Sequence, residues 1–354
     1  MSKFKKAMAV MLSAVMMLSV GTMPITVNAA TVESSSVAST ITGTYNDYSY
    51  SITEQKVTIT GYTGTETEIE IPSEINGCPV TSIGDYAFEK SAVTNVILPD
   101  TVEYIGQYAF SESELINIEI PDSVTYISMY AFRRSKIEKI VIPDSVTYLG
   151  SAALCDCPYL TDVTLSNNIS SLEPHLFAGA NSLTKVIIPN SVTTLKENVF
   201  LLCENLEEII LSDNIEVISE SYFRGFKKLK KVKLPANLKT IEALASYHCV
   251  SLSEIEIPDK VTTIGRSAFY DCPKIKSVTL PKGIQEIGDA ALGIYIVDDV
   301  YFETGKVKGL KIAGYRGTAA EEYANYYGFI FEDLTYIPMG DVNLDEDVSV
   351  LDVT

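Results

Sequence analysis

A repeat of 22 to 23 residues runs through most of this 354-residue chain and limits what it can fold into. One column holds a large apolar residue in almost every copy: Phe88, Phe110, Phe132, Leu154, Phe177, Phe200, Phe223, Ser246, Phe269 and Leu292. A regular period of this size predicts a solenoid, in which each unit buries its apolar face only against its neighbours. The ten copies in this column predict about ten stacked coils.

Each copy also contains a short strand pattern. Around Val186 and Ile188, alternate residues point inward, and Pro189 ends the strand because proline has no N–H to give to a ladder. Leu195 turns inward from a second side of the coil, and Phe200 fills the interior. Parallel strands of stacked coils lie roughly 4.8 Å apart, so the chain predicts a rod on the order of 50 Å long.

The repeat motif L-x-x-V-x-I-P-x-S-V-T-x-I-G-x-x-A-F, plain at residues 123–127 and 261–269, resembles the BspA-like class of bacterial leucine-rich repeats. The resemblance covers about residues 46–334 and implies a β-rich α/β solenoid of leucine-rich repeats with a cap at each end. The implied divisions are an N-terminal cap at 46–71, repeats at 72–303 and a C-terminal cap at 304–334. Relatives in this family are commonly adhesins or surface recognition proteins.

The C-terminal cap also has a helix signal of its own. Thr318 followed by Glu321 forms a capping-box pattern, the helix is expected to run to about Tyr327, and Gly328 suits the left-handed position after a helix end. A largely polar helix here would shield the last coil from solvent.

The first 45 residues indicate export. Lys3, Lys5 and Lys6 precede an apolar run, and small residues up to Ala29 suit signal-peptidase cleavage, so residues 1–29 are interpreted as a signal peptide of a secreted, extracellular protein. Residues 30–45 form a Ser/Thr-rich spacer. No other stretch reaches the ~18 apolar residues of a membrane span.

Acidic residues outnumber basic residues. The chain has 27 Lys and Arg against 46 Asp and Glu; without the three lysines of the signal peptide the balance is 24 against 46, a net charge of −22. This charge argues against nucleic acid or an anionic membrane as a partner.

Residues 335–354 contain a calcium-loop pattern and resemble the first half of a dockerin, the module that binds cohesins. The expected ligands are Asp341, Asn343, Asp345, the carbonyl of Asp347, Ser349 and Asp352, at loop positions 1, 3, 5, 7, 9 and 12. The resemblance implies Ca²⁺ as a cofactor and a cohesin-bearing scaffold as a partner. Glu346 stands where a glycine usually makes the sharp turn, which predicts weak calcium binding.

Two tyrosine columns mark the early coils as candidate ligand-binding surfaces. They consist of Tyr104, Tyr126 and Tyr148, and of Tyr86, Tyr108 and Tyr130. Rows of amphipathic rings can stack on sugars or pack against a peptide. Alternatively, each ring only covers its neighbour on the rod.

A further column alternates in charge. It reads Lys139, Asp162, Lys185, Glu208, Lys231 and Glu254. Opposite charges on neighbouring strands contribute about 0.2–1 kcal/mol per pair, so this column is interpreted first as a register device and second as a polar binding face. A neighbouring column of β-branched residues could form an apolar stripe for a protein partner: Ile97, Val141, Ile187 and Ile210.

Catalytic signals are weak. Four of the six cysteines, Cys157, Cys203, Cys249 and Cys272, lie three residues after the phenylalanine column, which predicts buried thiols. A Cys249 thiolate paired with His248 is therefore disfavoured, and no carboxylate pair stands out as acid and base. The sequence predicts a non-enzymatic protein.

These features favour a secreted, non-catalytic recognition or adhesion protein that binds a protein or glycan, held in a cellulosome-type assembly through the dockerin. The alternatives are a structural spacer in an extracellular scaffold and an accessory subunit of a polysaccharide-degrading complex. A repeat surface that binds neither proteins nor glycans would favour the spacer, and stimulation of a partner hydrolase would favour the accessory subunit.

Overall fold

The computed structural model of the chain describes residues 39–298 and 303–335. Its strands in chain order are β1 (Ile41–Tyr45), β2 (Tyr48–Thr53), β3 (Lys56–Tyr62), β4 (Glu68–Glu70), β5 (Glu74–Ile75), β6 (Cys78–Ile83), β7 (Asn95–Ile97), β8 (Tyr104–Ile105), β9 (Asn117–Glu119), β10 (Tyr126–Ile127), β11 (Lys139–Val141), β12 (Tyr148–Leu149), β13 (Asp162–Thr164), β14 (Ser171–Leu172), β15 (Lys185–Ile187), β16 (Thr194–Leu195), β17 (Glu208–Ile210), β18 (Val217–Ile218), β19 (Lys231–Lys233), β20 (Thr240–Ile241), β21 (Glu254–Ile255), β22 (Thr263–Ile264), β23 (Ser277–Thr279), β24 (Glu286–Ile287), β25 (Ile294–Asp298), β26 (Glu303–Lys306), β27 (Lys311–Gly314) and β28 (Ile330–Asp333). The helix α1 (Ala319–Tyr327) lies between β27 and β28.

Each repeat forms one coil with two short strands. Strands such as β15 and β17 pair in parallel on a surface called here the first face, and strands such as β8 and β10 pair in parallel on the second face. In β15 the middle residue, Val186, is buried between exposed Lys185 and Ile187, because successive side chains of a strand point to opposite sides. The predicted solenoid of leucine-rich repeats is confirmed.

The C-terminal cap extends the rod. On the first face β23 pairs in parallel with β27, and β27 pairs with β28. The rod therefore has about twelve turns, because the cap adds two rungs to the ten that the repeat predicts.

The phenylalanine column forms the centre of the core. Phe88, Phe110 and Phe132 are fully buried, and their rings stack with centroids 5.1 and 5.7 Å apart. The glycine of the repeat motif has a packing reason: a Cβ on Gly106 would lie 2.6 Å from the carbonyl carbon of Gly84 in the preceding coil. Small residues thus let successive coils approach to hydrogen-bonding distance.

The N-terminal cap is an antiparallel sheet of β1, β2 and β3, and β3 then pairs in parallel with β6. Strand β1 lies within the segment that the sequence assigned to the 30–45 spacer, so the cap begins earlier than expected. No sequence signal marks β1, because its side chains are mostly exposed and form no apolar pattern. The strand is held by backbone hydrogen bonds to β2. The Tyr48 hydroxyl donates to the carbonyl of Glu70 at 3.1 Å and ties the cap to the first coils.

The C-terminal helix covers the last coil. The Tyr323 hydroxyl accepts from the Leu292 N–H at 2.8 Å and donates to the Leu292 carbonyl at 2.7 Å, so it binds backbone groups that a further coil would bind. Gly328 has the expected left-handed backbone, with φ of 70°.

The predicted capping box does not form. The Thr318 hydroxyl donates backward to the Tyr315 carbonyl at 2.6 Å, and the Glu321 carboxylate accepts from the Gly317 N–H at 2.8 Å. The two side chains therefore stabilise the turn that precedes the helix, and no side chain of Thr318 caps the helix N–H groups.

Candidate functional site

The first tyrosine ladder lies on the second face. Tyr104, Tyr126 and Tyr148 begin β8, β10 and β12 and stand directly opposite one another in the parallel register. The residue after each tyrosine is apolar and buried, so each ring is turned away from the core. The rings stack with centroids 5.4 and 4.6 Å apart and planes within about 21°, and burial, with a smaller effect of Tyr126, raises the pKa of Tyr148.

The second tyrosine ladder lies in the turns that follow. Tyr86, Tyr108 and Tyr130 have left-handed backbones with φ of 60°, 54° and 59°. This conformation costs a bulky residue about 1–2 kcal/mol, and backbone hydrogen bonds between coils hold it in place, such as that from the Tyr86 N–H to the Gln107 carbonyl at 2.9 Å. The rings stack with centroids 5.0 and 4.8 Å apart.

The stacked geometry decides which part of the rings a partner can reach. Neighbouring rings cover one another's faces, so the ladders present ring edges and hydroxyl groups. Tyr86, at the start of its ladder, is 52% exposed, and Tyr126 is 38% exposed. A sugar stacks on an open ring face, so this arrangement suits a partner that packs along ring edges and accepts hydrogen bonds better than it suits sugar stacking.

The charge ladder runs along the first face as the sequence predicts. Lys185 and Glu208 form an ion pair at 2.8 Å, and Lys231 and Glu254 form one at 3.0 Å. The hydrogen bond from Lys231 to Glu254 raises the pKa of Lys231. Lys139 stands in register with Asp162. A shallow depression of about 690 Å³ lies over the later part of this ladder.

The apolar column beside the charge ladder is mostly exposed. Ile97, Val141 and Ile187 are each more than half exposed, whereas Ile210 is partly covered. Charged residues occupy the same column in other coils, such as Glu119. The stripe is therefore interrupted along the rod.

The sequence missed a second charged column, in the turns of the early coils. Lys90, Glu112, Arg134 and Asp156 alternate in sign, and their ion-pair distances are 3.9, 3.3 and 3.2 Å. Hydrogen bonding to Asp156 raises the pKa of Arg134. The 22-residue spacing of these four charges was the signal that could have revealed the column.

The cysteine column is interior, as expected. Cys157, Cys203, Cys249 and Cys272 are buried free thiols, and burial raises the pKa of Cys157 and of Cys203 to about 12. The Cys249 thiol donates to the Phe223 carbonyl at 3.0 Å, whereas His248 hydrogen-bonds the buried Asp271. The two neighbours thus bind different partners and do not form a nucleophile–base pair.

The six expected calcium ligands, Asp341, Asn343, Asp345, Asp347, Ser349 and Asp352, lie outside the described residues, as do the signal peptide and the first part of the spacer. Within residues 39–298 and 303–335, no cluster of three His, Cys, Asp or Glu side chains could hold a metal ion. The same part of the chain has no helix long and apolar enough to cross a membrane.

Several solved structures are similar to this chain. A leucine rich cell surface protein from Faecalibacterium prausnitzii is 23% identical over 83% of this chain and 94% of that chain, with a TM-score of 0.42. The pneumococcal vaccine antigen PcpA is 19% identical over 83% of this chain and 98% of that chain, with a TM-score of 0.42. The leucine rich repeat protein of T. pallidum is 24% identical over 56% of this chain and 86% of that chain, with a TM-score of 0.41.

No curated protein matches the chain. The family model described as the BspA type leucine rich repeat region does match, with six copies over residues 81–207 and 196–306. These residues make up more than half of the chain and coincide with the coils of the solenoid. The chain belongs to the BspA type leucine rich repeat family.

Proposed function

We propose that the chain is an exported, non-catalytic recognition protein that binds a protein partner through its two tyrosine ladders. The observation that carries this proposal is the pair of stacked, partly exposed ladders on neighbouring segments of the same early coils. Tyrosine supplies a large contact area and a hydrogen-bonding hydroxyl, and it is enriched in protein interfaces. Export is supported by the signal-peptide pattern of residues 1–29.

A protein partner is favoured over a glycan because the ladders offer ring edges and a row of hydroxyl groups. A polypeptide supplies carbonyl acceptors and apolar side chains along its length, which complement both features. The later coils carry Thr194, Thr240 and Thr263 at the positions of Tyr104, Tyr126 and Tyr148, so the solenoid itself does not require tyrosine there.

The test is binding of the chain to an array of extracellular proteins and to a glycan array. Combined replacement of Tyr104, Tyr126 and Tyr148 by Thr should weaken binding to the recognised protein at least about tenfold and leave the melting temperature within a few degrees of wild type. The matched control replaces Ile97, Val141 and Ile187 by Thr on the first face and should bind as the wild type does.

Three outcomes would contradict the proposal. Binding to the glycan array alone would make the partner a carbohydrate, and no binding to either array would favour a structural spacer. Unfolding of the triple tyrosine variant would show that the ladders stabilise the rod.

We further propose that residues 341–352 bind Ca²⁺ and attach the protein to a cohesin-bearing scaffold. The support is the odd-numbered spacing of oxygen ligands from Asp341 to Ser349, followed by Asp352. Because Glu346 replaces the turn glycine, calorimetric titration with CaCl₂ should give a Kd roughly in the millimolar range. The variant Asp341→Ala with Asp345→Ala should bind no calcium, and submicromolar binding by the wild type would refute the expected weak site.

A further inference from the structure

One contact between coils differs from its neighbours. The coil of residues 183–203 meets the coil of residues 206–226 at an interface called here the seam. In the preceding interface, the N–H groups of His175, Phe177 and Gly179 donate to the carbonyls of Glu197, Val199 and Leu201 at 3.3, 2.9 and 2.7 Å. Equivalent bonds recur in the coils before and after the seam.

At the seam these bonds are missing on one side of the rod. Among the described residues, the N–H groups of Asn198, Phe200 and Leu202 do not bind the carbonyls of Glu220, Tyr222 and Arg224. Strands β16 and β18 do not pair; β12 and β14 do not pair either, but there the turn bonds are present, as from the Leu154 N–H to the Leu176 carbonyl at 3.1 Å. The seam thus has a row of backbone donors on one wall and a row of backbone acceptors on the other.

The opposite side of the seam is closed. On the first face β15 and β17 pair over three residues, and the Ile188 N–H donates to the Ile210 carbonyl at 2.8 Å. The Lys185–Glu208 ion pair spans the same contact at 2.8 Å. The two coils therefore diverge from the first face toward the second face and the turns, as a wedge.

Two oversized side chains explain the wedge. Tyr222 occupies a column that holds alanine in most coils, such as Ala131 and Ala245, and Phe226 occupies the column of Cys203 and Ala180. The Tyr222 ring lies edge-on to the Phe200 ring, with centroids 6.5 Å apart and an angle of 86° between the ring planes. On its other side, Phe200 stacks face to face with Phe177.

A cavity of about 230 Å³ lies in the opening, lined by residues that follow β16 and β18, including Lys196, Asn198, Leu201, Ser219, Tyr222 and Arg224. The Tyr222 hydroxyl is buried and has no hydrogen-bond partner in the described part of the chain. A buried hydroxyl without a partner is destabilising. Among the described residues, the hydroxyls of Ser91, Ser111, Ser145 and Ser191 share this state, but only Tyr222 also lines the cavity, where a ligand atom can reach it.

The cavity has an exposed apolar residue among polar ones. Leu201 lines the cavity and is 43% exposed. Leu202 follows it in the chain and is 60% exposed, at a turn position that holds Glu112, Arg134 or Gly179 in earlier coils. Two exposed leucines at this turn fit an apolar contact with a partner.

We propose that the seam is a second binding site, which takes a short polypeptide segment of a partner with one large apolar side chain in the cavity. The volume exceeds the roughly 150 Å³ that holds a benzene-sized group and is below the range of about 300 Å³ or more for drug-sized ligands. A polypeptide carries one donor and one acceptor per residue, which matches the two backbone rows, and its carbonyl can accept from the Tyr222 hydroxyl.

The test uses blocked heptapeptides, acetyl-Ser-Thr-Val-X-Val-Thr-Ser-amide, with Leu, Phe, Asp or Gly at the central position. In the free protein, the amides of Asn198, Phe200 and Leu202 should exchange with solvent at least about tenfold faster than those of His175, Phe177 and Gly179. Peptides with central Leu or Phe should bind in calorimetry and slow this exchange, and those with Asp or Gly should bind at least about tenfold more weakly.

The combined variant Tyr222→Ala with Phe226→Ala should bring the two coils together, protect the three amides and lose peptide binding. Tyr159→Ala, which removes an exposed aromatic ring on another coil, is the matched control and should bind as wild type does. The triple tyrosine variant on the ladders should also bind these peptides normally, so a failure here is distinct from a failure of the proposed function.

Equal protection of the two sets of amides in the free protein would overturn the proposal, because the seam would then be closed. Exposed amides with no peptide binding at millimolar concentration would also overturn it and leave the seam as a flexible joint. Peptide binding that survives in the double alanine variant would place the peptide elsewhere.

Discussion

The first coils and the seam are built from the same repeat but pack differently. Between Phe88 and Phe132 the rings stack face to face, and backbone bonds join the coils on both sides of the rod. At the seam the first face has the same ladder, but the side of the second face and the turns is open. The difference shows that the columns of small residues, as much as the columns of large ones, determine how closely coils approach.

The largest expected difference between the two regions concerns their phenylalanines. Phe110→Ala should lower the free energy of unfolding by about 3–5 kcal/mol, because it leaves a cavity in a closed stack. Phe226→Ala should cost less than about 2 kcal/mol, since alanine already occupies this column at Ala180 and the coils can close. Urea unfolding followed by circular dichroism measures both, and equal losses would contradict the wedge.

The hydroxyl of Tyr222 gives a second contrast. Tyr222→Phe should raise the free energy of unfolding by about 1 kcal/mol, because it removes a buried hydroxyl that has no partner. Tyr48→Phe in the N-terminal cap should lower it by about 1 kcal/mol, because it removes the hydrogen bond to Glu70. Thermal unfolding of both variants tests whether the two changes have opposite signs. Destabilisation by Tyr222→Phe would mean that the hydroxyl has an unrecognised partner.

The charge ladder should matter most where only the first face holds two coils together. Lys185→Glu places acids at positions 162, 185 and 208 and should lower the free energy of unfolding by up to about 1 kcal/mol at low salt, with recovery in high salt. Lys139→Glu, in a coil joined on both sides, is the control and should have a smaller effect. An unchanged melting temperature of Lys185→Glu at low salt would exclude a register role.

Thiol labelling should show the smallest and most local effect. Burial raises the pKa of both Cys157 and Cys203 to about 12, so below pH 9 each reacts only when its coil opens. Cys203 lies in the coil at the seam and should react with a thiol reagent about tenfold faster than Cys157, as measured by mass spectrometry of labelled peptides. Equal rates would indicate that both coils open together.

Much of this fold could be predicted because each repeat shows the same residue pattern again. The phenylalanine and cysteine columns each identify an interior position from several copies, and the structure confirms both. Strand β1 could not be predicted from an apolar pattern, since the backbone ladder holds it. Thr318 and Glu321 had the right spacing for a capping box but stabilise the preceding turn instead.

The site was predictable in part. The spacing of the tyrosines predicted two rows, but only the orientation of the rings shows that neighbouring tyrosine rings cover one another. Tyr222 and Phe226 each look like an ordinary apolar substitution in one copy of the repeat. Their joint effect is visible only when both are placed in the same interface, where they separate the walls that Asn198 and Glu220 line.

The hydroxyl of Tyr323 also bears on how copies of this protein can meet one another. An uncovered final rung would present free backbone donors and acceptors to the first rung of another molecule, and such an edge can template end-to-end growth. By binding both the N–H and the carbonyl of Leu292, Tyr323 occupies the last coil on the side of the turns, whereas β28 is the outer strand of the first face. One phenol group thus removes the turn side of the last coil from backbone contacts with a separate molecule.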